Sequence, residues 1–311
     1  MGSGLRMETE GTSISALAPR PRVTGVAVGV FDGVHLGHRA ILGRILEQDG
    51  PEGAAALTFE PHPLAVVAPE KAPPRLTTAA QRERLIRVAG IPEVLTVRFD
   101  TALRQLSAEE FLAELKRIFP GLKRVAIGPN WRFGRGRSGD AATLNAYGAG
   151  HGFSTETIEA VHFQEKPISS TRVREAIAAR NFAEAAEMLG REYLIEGIVA
   201  AGDGRGAGIG FPTANFGGIG QLLPPPGVYA CRAELAGRTL RAVANYGSKP
   251  TFGPDGQPVL EVHLLDFSER IYGAALAVGA FRFLRDERKF ESIDALKAQI
   301  TADVAAARAV G

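Results

Sequence analysis

A single cysteine, Cys231, stands in 311 residues, so neither an intramolecular disulfide nor a multi-thiolate metal site can form. An excess of one charge is missing too. The chain has 36 Lys and Arg against 34 Asp and Glu, a formal net charge of +2, which supplies no field for broad nucleic-acid binding. No run approaches the ~18–20 consecutive apolar residues of a membrane span. Residues 1–20 lack periodicity and the compact apolar core of a signal peptide, and are expected to form a disordered arm. What remains, 45% hydrophobic and 23% charged, is ordinary for a soluble globular chain. At roughly 150 residues per domain the length suggests about two domains. These exclusions leave a cytoplasmic enzyme or binding protein, with no nucleic-acid or membrane partner expected; no pattern in the sequence indicates its oligomeric state.

Glycine is present in excess: 37 residues, against a usual share of ~7%. Many glycines cluster beside polar and basic residues, as in loops that approach phosphates.

From Val23 to about Arg180 strand-like and helix-like segments alternate. Val23–Val30, Ala54–Phe59, Val94–Phe99, Val125–Gly128 and Thr155–Val161 read as strands. His35–Gln48, Thr78–Val88, Ser107–Phe119 and Asp140–Tyr147 read as helices, with Ser107 and Glu110 at capping-box spacing. Continuous apolar strands between helices predict an α/β, doubly wound parallel sheet covered on both faces. Beyond a connecting helix at Asn181–Leu189, strand-like runs follow at Tyr193–Ala200, Gly227–Leu235, Thr239–Tyr246, Val259–Phe267 and Ala275–Phe283. With no helices between them they predict an antiparallel β-barrel, closed by a terminal helix at Ile293–Val310. The expected division is a 1–20 arm, a 21–186 domain and a 187–311 domain.

The first chemical signal is Phe31-Asp32-Gly33-Val34-His35-Leu36-Gly37-His38, where a buried strand turns into a helix. Ligands of open α/β sheets bind outside the carboxyl ends of the strands. A helix N-terminus there offers unpaired N–H groups to a phosphate, and two imidazoles can donate to its oxygens. Taken alone, His35 and His38 could also be helix-surface residues or a zinc pair. A second signal is the run from Gly202 to Asn215, which lacks the Gly-Lys-Ser/Thr end of a P-loop. By itself it could be a flexible loop, and a Glu261 alternating with Leu260, Val262 and Leu264 could be an outward surface residue.

The motifs together are more specific. FDGVHLGH resembles the HxGH signature of the nucleotidyltransferase superfamily, and its surroundings resemble the bacterial bifunctional riboflavin kinase/FAD synthetase family. Thr58–Pro63 is similar to that family's TF(D/E)PHP segment, Gly128–Gly134 to its G-x-(D/N)-F-x-F-G loop, and Ser169–Arg174 to its SSTxxR element. Gly-Phe-Pro-Thr-Ala-Asn at 210–215 resembles its PTAN signature. Supporting segments lie at Pro226–Tyr229, Asn245–Gly247, Pro250–Phe252, Glu261–Asp266, Leu284-Arg285 and Lys289-Phe290.

The resemblance implies two activities, with riboflavin, FMN and ATP as small-molecule substrates and Mg²⁺ as cofactor. In the first domain FMN would be adenylylated by ATP. His35, His38 and Arg174 would be catalytic, and Phe31, Gly33, Gly37, Ser169, Ser170 and Thr171 would bind ATP. Asn130 and Trp131 would bind the flavin. In the second domain riboflavin would be phosphorylated. Gly206, Gly208, Gly210, Thr213 and Asn215 would bind ATP, with Thr213 and Asn215 also holding Mg²⁺. Glu261 would be the general base and a flavin contact, and Arg285 a further flavin contact. Lys166, Leu64 and Ala207 depart from the family pattern. Alternatives are a chain that retains only the kinase, a non-catalytic flavin-binding regulator, or an unrelated HxGH adenylyltransferase. The last explains neither PTAN nor the barrel.

Overall fold

The computed structural model describes residues 11–200, 205–217, 219–248 and 258–309. Its contacts divide the chain into two units, Met1–Ser170 and Thr171–Gly311.

The first unit runs β1 (Gly25–Val28), α1 (Leu36–Gly53), β2 (Ala54–Glu60), α2 (Pro63–Val67), α3 (Ala79–Val88) and β3 (Glu93–Arg98). It continues with α4 (Thr101–Gln105), α5 (Ala108–Ile118), β4 (Arg124–Ile127), α6 (Ala141–His151) and β5 (Ser154–Thr157). A short hairpin follows, β6 (His162–Phe163) and β7 (Lys166–Pro167). Five strands form one parallel sheet in the order β3-β2-β1-β4-β5. Every residue of β1 and β2 is buried, because helices cover both faces. One face packs Val26, Leu57, Val97 and Val125 against Phe111, Leu112 and Leu115 of α5. The other packs Ala27, Ala56 and Ala126 against Ile41, Leu42 and Ile45 of α1 and Ile86 of α3. Helix α5 starts where its sequence dictates: Ser107 accepts from the Glu110 N–H at 3.1 Å, and the Glu110 carboxylate accepts from the Ser107 N–H at 2.7 Å.

The expected disordered arm is corrected for residues 11–20, whereas residues 1–10 lie outside the described residues. Thr12 pairs with edge strand β3, donating to the Thr96 carbonyl at 2.9 Å and accepting from the Arg98 N–H at 2.8 Å. Ile14 and Leu17 enter the core, and Arg117 donates to both their carbonyls, at 2.7 and 2.8 Å. A segment this short carries no periodicity. Its order comes from covering an open sheet edge, which only the assembled sheet presents.

The second unit contains α7 (Ser170–Ala178, from Thr171 onward), α8 (Phe182–Leu189), β8 (Ile195–Ala200), α9 (Arg205–Gly208) and β9 (Ala214–Gly217). It ends with β10 (Gly227–Leu235), β11 (Arg238–Ser248), β12 (Pro258–Leu264), β13 (Ala275–Arg285) and α10 (Ile293–Ala309). Six strands close an antiparallel barrel in the order β10-β11-β12-β9-β8-β13. The contact boundary falls after the first residue of α7, and Phe182 of α8 packs on Tyr229 and Phe281 of the barrel. Strand β9, which carries Asn215, reads as loop in the sequence because it is four residues long and follows Pro212. Cys231 is buried and its thiol is pushed well up by that burial, leaving it unreactive at neutral pH.

Truncating the anchors of the N-terminal segment, Ile14→Ala or Leu17→Ala, should destabilise the first unit by about 2–4 kcal/mol each. Urea unfolding followed by Trp131 fluorescence measures this; a change under about 0.5 kcal/mol would mean that the segment is not part of the core.

Candidate active sites

In the first unit the chain order places β1 between β2 and β4. The connection after β1 leads to one side of the sheet and the later strands lie on the other. This reversal of strand order opens a crevice at the carboxyl ends of β1 and β4. The loop after β1 ends at His35, the first turn of α1 carries His38, and the loop after β4 carries Asn130 and Trp131.

His35 caps α1: its Nδ1 accepts from the His38 N–H at 3.3 Å, so the imidazole hydrogen resides on Nε2. The two imidazoles stack with centroids 3.6 Å apart and planes 17° from parallel. Gly37 leaves room beside this stack: a Cβ there would lie 3.1 Å from the His35 ring, a tight contact. Burial holds the His38 pKa well below its ordinary value, with His35 and Arg82 acting in the same direction. His38 is therefore a neutral donor or acceptor at physiological pH, and its buried Nδ1 has no partner among the described residues. Phe31 is fully buried and sets its ring edge-on to His38 at 5.3 Å, so its side chain supports the histidines. Any contact of Phe31 with ATP is left to its main chain.

The loop that presents these histidines is conformationally costly. Phe31, Gly33 and Val34 have φ of 53°, 83° and 41°, and for the two non-glycine residues this costs of order 1–3 kcal/mol each. The buried Asp32 carboxylate compensates by accepting the N–H groups of Leu76 and Thr77, each at 3.0 Å. Nearby Glu60, at the end of β2, pairs with Arg75 at 2.6 Å and with the buried Arg82 at 2.9 Å. Motif reading quotes Asp32 and Glu60 but assigns neither a task, and it misses Thr77, Arg75 and Arg82. The Thr-Thr before α3 is their one visible signal, as an N-cap pattern.

Asn130 is exposed, whereas Trp131 is half-buried, stacked on Phe133 at 4.4 Å and packed against the sheet core. Ser169 and Ser170 are half-buried, and the Ser170 hydroxyl donates to the Asp32 carbonyl at 2.9 Å. Thr171 and Arg174 lie in the first turns of α7. Of the departing residues, Lys166 is exposed in β7 and Leu64 is exposed in α2, where His62 caps the helix by accepting from the Leu64 N–H at 3.2 Å.

In the second unit the register does the positioning. Glu261 of β12 lies directly opposite Asn215 of β9 on one side and Asn245 of β11 on the other. Opposed residues share a face, with Cβ atoms ~4.5–5.5 Å apart. Leu260 and Val262 are fully buried and face inward, so the Glu261 row faces outward. Gly206 of α9 lies against the segment that leads into β9: the Phe211 N–H donates to its carbonyl at 2.8 Å. A Cβ at Gly206 would stand 2.4 Å from the Phe211 carbonyl oxygen and 3.3 Å from the Thr213 hydroxyl. His263 secures the same segment through the Pro212 carbonyl at 2.7 Å. Gly208 and Gly210 are exposed, and Gly210 has φ 94°. Residues 201–204 and 249–257 of the expected motifs lie outside the described residues, as does the side chain of Ala207.

Arg285, expected as a flavin contact, has structural partners in the second unit. Its guanidinium grips Asp303 of α10 with two nitrogens, at 3.0 and 2.8 Å, and donates to the Asp286 carbonyl at 3.0 Å. It stands opposite Val228, three strands from Glu261 along the row, at most about 14 Å away. Its structural role is to dock the terminal helix.

A family model described as FAD synthetase matches residues 18–172, and one described as riboflavin kinase matches residues 189–310. The chain belongs to the bifunctional riboflavin kinase/FMN adenylyltransferase family. It is 39% identical over 296 residues to the Pseudomonas fluorescens bifunctional riboflavin kinase/FMN adenylyltransferase, covering 94% of this chain and 95% of that one. Identity to the Escherichia coli K12 protein of that name is 40% over 286 residues, 91% of each chain. For the Bacillus subtilis protein it is 37% over 286 residues, 89% of each. A solved structure described as a macrolide-efflux protein from Streptococcus pneumoniae aligns over 96% of this chain and 97% of its own, with TM-score 0.81 and 30% identity. Among the described residues no helix is long and apolar enough to cross a membrane.

The neutral His38 makes the first unit acid-sensitive. Its unfolded imidazole takes up a proton near pH 6.5 and the folded one does so only at lower pH. Stability of the unit should therefore fall as pH drops below about 6.5, with a limiting slope of about 1.4 kcal/mol per pH unit. His38→Gln should flatten that slope in urea unfolding between pH 7.5 and 5.5. For the barrel, Asp303→Ala leaves Arg285 without its carboxylate and should cost about 3–5 kcal/mol, measured by thermal or urea unfolding.

Proposed function

We propose that the chain performs two ATP-dependent transfers, making FMN from riboflavin in the second unit and FAD from FMN in the first. The observation that carries the reading is that both family models match one chain, and each covers one of the two motif sets.

In adenylyl transfer the FMN phosphate attacks the α-phosphorus of ATP in line, a P–O bond forms, and pyrophosphate leaves. Charge spreads over the non-bridging oxygens, so the protein's work is positioning and electrostatic stabilisation. The first turn of α1 offers N–H groups, and His35 offers an Nε2–H, to oxygens at the reacting phosphorus. His38, held neutral, donates without competing as a base. Ser169 and Ser170 stand at the start of a helix suited to the β- and γ-phosphates, and the family resemblance assigns Thr171 and Arg174 of that helix to the same phosphates. Asn130 and Trp131 stand at the neighbouring strand end, where a flavin would lie.

In the kinase step Glu261 accepts the proton of the riboflavin 5′-hydroxyl as its oxygen attacks the γ-phosphorus, and ADP leaves. Thr213 and Asn215 fit a magnesium ion because both carry neutral hard oxygens, and magnesium keeps most of its shell as water and phosphate oxygens. The missing Cβ of Gly206 leaves the Thr213 hydroxyl room to point at such a ligand. Bound there, the ion supplies charge neutralisation on the phosphates. Asn245, opposite Glu261, is the neighbour able to orient its carboxylate. A soluble cytoplasmic setting suits enzymes whose substrates are ATP and flavins.

A chromatographic time course with riboflavin, ATP and Mg²⁺ should show FMN appearing and then giving way to FAD. His38→Ala should stop the second conversion and Glu261→Gln the first, each by at least about 100-fold. FMN accumulating with no FAD would refute adenylyl transfer. Flavin binding with no turnover would identify a regulator.

A further inference from the structure

We propose that Asp32, with Thr77 as its partner, is a positioning residue for adenylyl transfer: it sets the loop from which His35 and His38 present their imidazoles. The inference rests on the FMN adenylyltransferase reading above. Asp32 is 3% exposed, so it does not meet a ligand. Its carboxylate bonds to a segment 44 and 45 residues away in sequence: it accepts from the N–H groups of Leu76 and Thr77 at 3.0 Å and from the Thr77 hydroxyl at 3.1 Å. That hydroxyl donates to Asp32 and accepts from the Gly33 N–H at 3.2 Å, so it touches the loop at two successive residues. The clasp is built on a rigid base, because Thr78 caps α3 by accepting from the Gln81 N–H at 3.1 Å.

The position of the clasp gives it leverage. It holds the loop between two residues of positive φ, Phe31 and Gly33, and Val34 with φ 41° follows immediately before the cap His35. The His35 ring accepts from the His38 N–H and stacks on the His38 ring, so the two imidazoles move as one body. A rotation of the loop displaces both from the reacting phosphorus, and a misplacement of about 1 Å is enough to lower a rate 100-fold. Hydrogen bonding through the Thr77 hydroxyl, rather than its bulk, is the feature that matters.

The test uses the full chain with Asp32→Asn, Thr77→Val and Thr77→Ser, assayed for both activities, with the His35 and His38 ring signals followed by NMR. The kinase, in the other unit, serves as an internal control for folding. Asp32→Asn and Thr77→Val should lower kcat for FAD formation about 10- to 100-fold with KM changed less than about threefold. Thr77→Ser should stay within about twofold of the parent. Kinase rates should be unchanged. The imidazole signals should move in Thr77→Val and return in Thr77→Ser. Unchanged kcat together with unmoved imidazole signals in Thr77→Val would overturn the proposal, as would equal losses in Val and Ser or a parallel loss of kinase activity. If the parent chain makes no FAD, the functional reading fails, and the imidazole signals alone decide whether the clasp sets the histidines.

Discussion

A helix that starts at the end of a buried parallel strand leaves its first N–H groups without intrahelical partners, and the structure of the first unit is organised around keeping them available. Strand β1 ends at Val28 and α1 begins at Leu36. Between them the backbone must reverse within a few residues, through three positions of positive φ. Neither Phe31 nor Val34 favours that conformation, so the turn is imposed from outside by the buried Asp32 carboxylate and the amides before α3. Helix α3 is thus part of the site although it contributes no ligand. Its Arg82 also ties down Glu60 at the end of β2 and adds to the electrostatic pressure that keeps His38 neutral.

The barrel solves a similar problem with strand register. Alternation sends Leu260 and Val262 inward, so Glu261 faces outward between two asparagines supplied by adjacent strands. A carboxylate on a strand face is ordinarily a solvated surface group. Here the flanking amides, the tight turn at Gly206 and the His263 contact to the Pro212 carbonyl define its surroundings. Farther along the same row, Val228, Ala230 and Val243 lie under α10, and the Arg285–Asp303 pair fastens that helix to the barrel.

The proposed sites combine helix amides, imidazoles, hydroxyls and asparagine side chains with the Glu261 carboxylate and the Arg174 guanidinium. Among the described residues no group of three His, Cys, Asp or Glu side chains could enclose a metal. In phosphoryl and adenylyl transfer the substrate brings the negative charge, and the protein supplies orientation and electrostatic support.

The sequence by itself determined the two architectures and the family to which the chain belongs. Hydrophobic runs between helices dictate a parallel sheet, closely spaced alternating runs dictate a barrel, and the HxGH and PTAN segments announce their residues locally. Tertiary structure decided what depends on partners distant in sequence. Residues 11–20 are ordered because β3 has an open edge, and β9 is a strand because β8 and β12 flank it. Arg285 is claimed by Asp303, eighteen residues on, and Asp32 acquires its role only when Leu76 and Thr77 arrive beside it. Composition and periodicity report what a residue's neighbours in sequence make of it. A buried carboxylate's function is set by which amides reach it, and no local pattern encodes that.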